Sequence, residues 1–271
     1  MTTEQRWWPT QAMTVRGRAA VLTVSYNTLE LTALLIWSLR RLLDWPDLQV
    51  LVVDNGSTDG SAEMLSELVG LGTCSVICNG LNLQHGPALN QGFSSLAAQR
   101  ELPEWIWILD SDSVISRREA LTHAIAAANG ASIVGEPNWD PWLKRERFEL
   151  YSLLIDPRQV WQPQVGPFAD DGDPSWPLLD SALRNGLALV PFEFTENRYV
   201  IHRGRGTLAA VLANGERANP HYEWATDHHL PHFNEVPGAA DRWEELMTQF
   251  RADVPRLTGP ALDAACRRGP A

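Results

Sequence analysis

Cysteine is scarce: three residues, Cys74, Cys78 and Cys266, in a chain of 271. An odd and sparse set in a chain this long makes no disulfide framework, and without a second pair it makes no structural zinc site. Cys74 and Cys78 fall in a β-rich run and read as small buried thiols. Basic residues are also few, 22 Lys and Arg against 33 Asp and Glu, which leaves a net charge of −11. Such a surface repels polyanions, so a broad face for nucleic acid or anionic membrane is excluded. A phosphate can still bind where a metal or backbone amides supply local positive charge. Long apolar runs are missing as well: none approaches the ~18 residues that span a bilayer. Residues 1–18 lack an apolar signal core, Trp7-Trp8-Pro9 being too short for one. No integral membrane segment is therefore expected, and the cytoplasm is the expected location. There is no internal repeat and no linker long enough to force a domain boundary.

What is present is an ordinary globular composition with two alternating periods. Residues 20–25, 49–54, 74–79 and 105–109 read as short apolar strands. Between them, residues 27–43, 61–69 and 86–100 carry helical spacing, with Leu31, Leu34, Leu35, Ser38 and Leu42 on one face of the first. Asn27 and Glu30, and again Ser116 and Glu119, stand three apart, the spacing of an N-cap and its reciprocal partner. The second pair is expected to open a helix that stops at Asn129-Gly130. Strands alternating with helices predict an α/β fold with a parallel sheet covered on both faces. Ligands bind such sheets at the carboxyl ends of the strands. Tyr26-Asn27, Asp54-Asn55-Gly56-Ser57 and Asp110-Ser111-Asp112 each follow a strand and should open onto one edge. Beyond residue 137 the pattern loosens into Trp, Pro and Asp. Residues 148–155, 187–190 and 199–202 read as strands, 178–183 as a short helix, and 240–250 as a last helix whose Trp243, Leu246, Met247 and Phe250 pack onto the body.

Two clusters carry chemistry. Asp110 and Asp112 follow the apolar run Trp105-Ile106-Trp107-Ile108-Leu109. Charge at the rim of a buried strand costs desolvation energy unless it is paired or bound to a cation, and oxygen ligands suit Mg²⁺ or Mn²⁺. A solvated turn is the competing reading of this triplet alone. Asp54, in Asp54-Asn55-Gly56-Ser57-Thr58-Asp59-Gly60-Ser61, can accept the imide N–H of a pyrimidine base or donors on guanine. An Asx-type turn capping the next helix competes with that.

Taken in order, Thr23-Val24-Ser25-Tyr26-Asn27, the Asp54 to Ser61 run, Asn82 through Gly86 with Ala88, Asn90 and Gly92, and Asp110-Ser111-Asp112 resemble the inverting glycosyltransferases of family two, which have the GT-A fold. The resemblance is close over residues 19–136 and looser to about 212. It implies a Rossmann-like, mostly parallel sheet with helices on both faces and an irregular acceptor region. It implies one domain over 1–271: a nucleotide-sugar-binding half (19–136), an acceptor and catalytic half (137–215) and a C-terminal extension (216–271). Ser25, Tyr26 and Asn27 would line the nucleotide pocket and Asp54 would contact the base. Asn82 and Asn90 would border the donor site together with Ser111. Asp110 and Asp112 would hold Mn²⁺ or Mg²⁺ against the diphosphate of a nucleotide-diphosphate sugar. Gln84 and His85 depart from the Gly-aromatic pair common at this point in the family.

The family's second half usually offers a carboxylate as catalytic base. Phe168-Ala169-Asp170-Asp171-Gly172-Asp173 supplies one here, Asp171 first, Asp173 next and Asp180 third. Carboxylates this close repel, which raises at least one pKa toward useful base strength. A histidine such as His202 often ligates the metal in these enzymes, and Arg203, with Arg205, suits a phosphate. The cluster His221, His228, His229 and His232 reads equally as a lid, an acceptor wall or a zinc site. Trp139, Trp142, Trp161 and Trp176 fit a stacked acceptor or simple packing. The expected partners are a nucleotide-sugar donor and a small-molecule or glycan acceptor. Two other readings remain: a haloacid-dehalogenase-like phosphatase with Asp110 as nucleophile, and a non-catalytic nucleotide-sugar-binding protein.

Overall fold

Short apolar, β-branched runs form the strands of one mixed sheet. In the computed structural model, which describes residues 17–140, 145–169, 174–204 and 236–257, these are β1 (Ala19–Ser25), β2 (Leu48–Asp54), β3 (Ser75–Cys78), β4 (Trp105–Leu109), β6 (Ile133–Asp140), β7 (Arg145–Ile155) and β8 (Leu189–Pro191). Their order is β3-β2-β1-β4-β7-β6-β8. A separate antiparallel pair joins β5 (Ser113–Ile115) to β9 (Val200–His202). The helices are α1 (Leu29–Arg41), α2 (Ser61–Gly70), α3 (His85–Ala97), α4 (Ala120–Ala128), α5 (Pro157–Val160), α6 (Trp176–Arg184) and α7 (Ala239–Leu257). No helix among the described residues is long and apolar enough to cross a membrane.

Side chains alternate across each strand, so the sheet buries both faces. Val21, Val50, Val52, Trp107 and Leu109 pack with Leu34 and Leu35 of α1, Leu65 of α2, Leu121 of α4 and Leu246 of α7. Leu22, Leu51, Val53, Ile106 and Ile108 pack with Leu89 and Phe93 of α3 and Leu178 of α6. Strands β3, β2, β1 and β4 run parallel, as the alternation of periods requires. β7 then enters antiparallel between β4 and β6. The sequence reading missed β6 and the first three residues of β7, because Pro137-Asn138-Trp139-Asp140 has turn composition. Cross-strand pairing decides there, not intrinsic preference. Cys78 is exposed at the end of β3, contrary to the reading of two buried thiols, while Cys74 is buried.

Both expected capping boxes are absent. Asn27 is not a cap: it adopts a left-handed φ of 52°, and its Oδ1 accepts the Thr58 N–H at 2.6 Å. Glu30 pairs instead with Arg251 of α7 at 2.9 Å. Ser116 stands ahead of α4 with its N–H on the Tyr199 carbonyl, and no side chain caps that helix. The start of α1 is capped from outside. Asp59 Oδ2 accepts the Leu29 N–H at 3.0 Å while its Oδ1 accepts the Ser61 N–H at 3.0 Å, so one carboxylate serves two helix starts. Asp59→Ala strips both caps and should cost about 1–2 kcal/mol. Urea unfolding checks this: the midpoint falls and the slope stays unchanged.

Candidate active site

The site lies at the carboxyl ends of β1, β2 and β4. Asp110 follows β4 directly, and the Ser113 N–H returns to the Asp110 carbonyl at 3.0 Å, closing a turn that presents both carboxylates. β5 leaves that turn and pairs with β9, setting Ser113 opposite His202. His202 Nε2 thereby stands 3.1 Å from Asp112 Oδ1 and 3.5 Å from Asp110 Oδ2. The Arg203 N–H binds the Asp112 carbonyl at 3.0 Å and fixes the pairing. Tyr151 of β7 stacks on the His202 ring at 4.2 Å and 19°.

Burial pulls the His202 pKa down, but the carboxylates of Asp112 and Asp110 outweigh it and raise it to about 10. The imidazolium therefore stands where a cation is wanted. The ligand atoms of Asp110, Asp112 and His202 all lie within 4.8 Å of one another. Asp110 Oδ1 is buried with no hydrogen-bond partner among the described residues. Two carboxylates and one imidazole nitrogen fit Mn²⁺ or Mg²⁺ with positions left for water or phosphate.

Across the edge, Asp54 ends β2 in register with Ser25 of β1. Burial raises its pKa foremost, against opposing hydrogen bonds from Ser57. Its Oδ1 has no partner among the described residues, and so remains able to accept from a ligand. Gly56 needs its positive φ of 83°, and a Cβ there would sit 2.6 Å from the Leu81 backbone. Asn55 went without a role in the sequence reading, yet it organises the facing loop. Its Nδ2 donates to Asn82 Oδ1 (2.9 Å) and the Gln84 carbonyl (3.2 Å), and its Oδ1 accepts from Asn79 Nδ2 and the Leu83 N–H. The signal for it was its place beside Asp54, at a strand tip with no helix of its own to cap.

Ser25 and Ser111, named from separate motifs, are joined by hydroxyls. Ser25 Oγ meets Thr32 Oγ1 at 2.9 Å, Thr32 meets Thr28 at 3.0 Å, and Thr28 meets Ser111 Oγ at 3.1 Å, all buried. Tyr26 is buried beside them. Asn90 is committed elsewhere in the structure: its amide exchanges two hydrogen bonds with the Phe168 backbone, at 2.8 and 3.0 Å. This staples the segment ending at Ala169 onto α3, where a Cβ on Gly86 would collide with the Ala169 carbonyl. Asp171 and Asp173, with Asp170, lie outside the described residues. Their neighbours Ala169 and Pro174 are joined by a 3.0 Å backbone hydrogen bond. Asp180 sits in α6 and pairs with Arg184. Arg203 is exposed beside the carboxylates. Arg205, Trp142 and the cluster from His221 to His232 lie outside the described residues. Trp139 is exposed, and Trp161, partly exposed, packs on Phe93 at 4.8 Å.

A family comparison matches residues 20–158 to the family described as Glycosyl transferase family 2. No curated protein matches the sequence. Among solved structures, the chain resembles the mannosyltransferase PcManGT from Pyrobaculum calidifontis in complex with GDP-Man and Mn²⁺, at 18% identity and TM-score 0.52, over 94% of this chain and 80% of that one. S. aureus TarS 1-349 in complex with UDP-GlcNAc gives 14% identity and TM-score 0.51 over 91% and 83%. Mycobacterium tuberculosis glucosyl-3-phosphoglycerate synthase with Mn²⁺, UDP and glucosyl-3-phosphoglycerate gives 16% and 0.51 over 80% and 88%. At these identities the likeness bears on the fold, which is the GT-A fold.

Proposed function

The chain belongs to glycosyl transferase family 2, and on that premise we propose that it moves a sugar from a nucleotide-diphosphate sugar to an acceptor hydroxyl, with a divalent metal and with inversion. The observation that carries this is the convergence of Asp110, Asp112 and His202 on one edge with the buried Asp54 carboxylate, whose Oδ1 has no partner among the described residues. Asp54 accepts from the base, with Ser25, Tyr26, Asn27 and Asn82 shaping the pocket and Ser111 and Asn90 supporting it. Asp110, Asp112 and His202 hold Mn²⁺ or Mg²⁺. A bound ion would supply positive charge for the departing diphosphate there, beside the exposed Arg203. Asp171, or Asp173 next to it, takes the acceptor proton as the hydroxyl oxygen attacks the anomeric carbon. The electron pair of the breaking bond leaves with the diphosphate. Within this reading residues 19–136 bind the donor, 137–215 carry the acceptor side and 216–271 extend it. The acceptor is a small molecule or a glycan met in the cytoplasm.

A phosphatase with Asp110 as nucleophile fits less well, because that chemistry uses the first strand of its domain and Asp110 follows the fourth. Calorimetric titration with UDP, dTDP and GDP, each with and without Mn²⁺, tests the donor site: one nucleotide should bind tightly only with metal. Asp171→Asn should then keep that binding and lose turnover by about 100-fold or more. Retained turnover moves the base to Asp173. Absence of any nucleotide binding sinks the donor-site reading.

A further inference from the structure

Gln84 is the residue immediately ahead of α3, and its backbone is strained. Its φ of 74° and ψ of 166° fall in a region that is essentially reserved for glycine. Both of its backbone polar groups are held there: the N–H by Asn82 Oδ1 at 2.9 Å and the carbonyl by Asn55 Nδ2 at 3.2 Å. Strain retained at a ligand-binding edge points to the side chain it positions. The next residue along the chain is His85, whose Nε2 stands 3.9 Å from Asp110 Oδ1.

The two carboxylate oxygens of Asp110 therefore face different imidazoles, Oδ2 toward His202 and Oδ1 toward His85. At 3.9 Å the second pair is too far apart for a hydrogen bond. His85 also stands outside the cluster of Asp110, Asp112 and His202, whose ligand atoms share one ion-sized space. The gap joins a buried oxygen that only accepts to a ring nitrogen able to donate. A deprotonated phosphate oxygen can accept from the imidazole but has no proton to give the carboxylate. A hydroxyl satisfies both, donating to Asp110 Oδ1 and accepting from His85 Nε2.

We propose that His85 and Asp110 Oδ1 form a clamp for one hydroxyl of the donor, on the ribose or on the transferred sugar. The clamp rests on the transferase reading and makes His85 a residue that helps select the donor. Its test uses three probes with Mn²⁺: the nucleoside diphosphate that wild-type protein binds best among UDP, dTDP and GDP, its 2′,3′-dideoxy analogue, and its glucose and mannose conjugates. Dissociation constants are measured by calorimetry for wild type, His85→Ala and His85→Gln, with folding checked by circular dichroism.

His85→Ala should weaken binding about tenfold, the worth of one lost hydrogen bond to a charged network. His85→Gln, which keeps a donor at similar reach, should recover most of it. A loss confined to a sugar conjugate assigns the clamp to the transferred sugar. A loss shared by the plain diphosphate, and gone with the dideoxy analogue, assigns it to the ribose. No loss with any probe, or a loss that persists with the dideoxy analogue, overturns the clamp and leaves the transferase reading standing. Wild-type protein that binds no nucleoside diphosphate overturns both.

Discussion

Asp112→Asn should abolish the thermal stabilisation that Mn²⁺ gives the wild-type protein and lower metal affinity by more than about 100-fold. Partners one shell further out already contribute 10–100-fold at such sites, and Asp112 stands in direct ligand position. The same change should also lower, more modestly, the midpoint measured without metal, because it removes the nearer carboxylate of the His202 ion pair. Two carboxylates there share one imidazolium, since His202 is held protonated by Asp112 and Asp110. Removing one negative charge leaves the His202 imidazolium to Asp110 alone at 3.5 Å, while an amide of the same shape preserves the packing of a side chain only 7% exposed. The backbone hydrogen bond from Arg203 to the Asp112 carbonyl is untouched. The loss without metal reports the ion pair with His202, and the lost response to Mn²⁺ reports the metal site. A thermal scan over a Mn²⁺ series measures both effects at once, because a ligand bound only to the native state raises the midpoint with its concentration. If the variant responds to Mn²⁺ as the wild type does, Asp112 is no ligand and its carboxylate serves only the ion pair with His202.

The half of the chain before residue 136 was legible because each element has a period of its own. Leu48, Val50 and Val52 alternate with Leu51 and Val53, and the two sets reach opposite cores. Asp110 and Asp112 were legible because charge directly after Trp105-Ile106-Trp107-Ile108-Leu109 has no local reason to be there. His202 was found from its strand and its arginine neighbour, but the pairing of β5 with β9 that brings it to the carboxylates was not. Three-residue strands carry too little pattern to predict a partner. Asn27 and Ser116 had the residue type and spacing of caps, and tertiary partners took them instead: the Asp54 to Ser61 loop claims Asn27 and Tyr199 claims the Ser116 N–H. Spacing reports what a side chain can do locally. It does not report which competing partner lies nearer in space. The same limit hid Glu136, which no motif marked.

Glu136→Gln should stabilise the folded protein by about 3 kcal/mol at pH 8 and by almost nothing at pH 4. Glu136 lies in β6 and is 2% exposed. Burial is the main reason its pKa rises from 4.5 to about 7, with the charge of Glu196 adding and hydrogen bonds from Thr195 and Phe194 opposing. The Thr195 N–H donates to it at 2.8 Å, and no salt bridge meets it among the described residues. The raised pKa fixes the sign. Between about pH 4.5 and 7 the folded protein keeps a proton that the unfolded chain has released, so the group's contribution to stability falls as pH rises through that window and is gone above it. A shift of roughly 2.5 units at 1.36 kcal/mol each gives the magnitude. Glutamine keeps an oxygen for the Thr195 N–H and has no charge to desolvate. Urea unfolding of both proteins at pH 4, 6 and 8 measures it: the wild-type curve should drop over that range relative to the variant. Parallel curves would mean that the Glu136 carboxylate finds water or a cation in solution. Glu136 also adds negative charge near Tyr151, whose phenol is pushed up by burial first and by Glu136 second. Tyr151 is the ring stacked on His202. A carboxylate retained here against its own desolvation therefore stands one side chain from the candidate metal ligands. If the variant gains stability and loses Mn²⁺ affinity together, the charge was kept for the site and not for the fold.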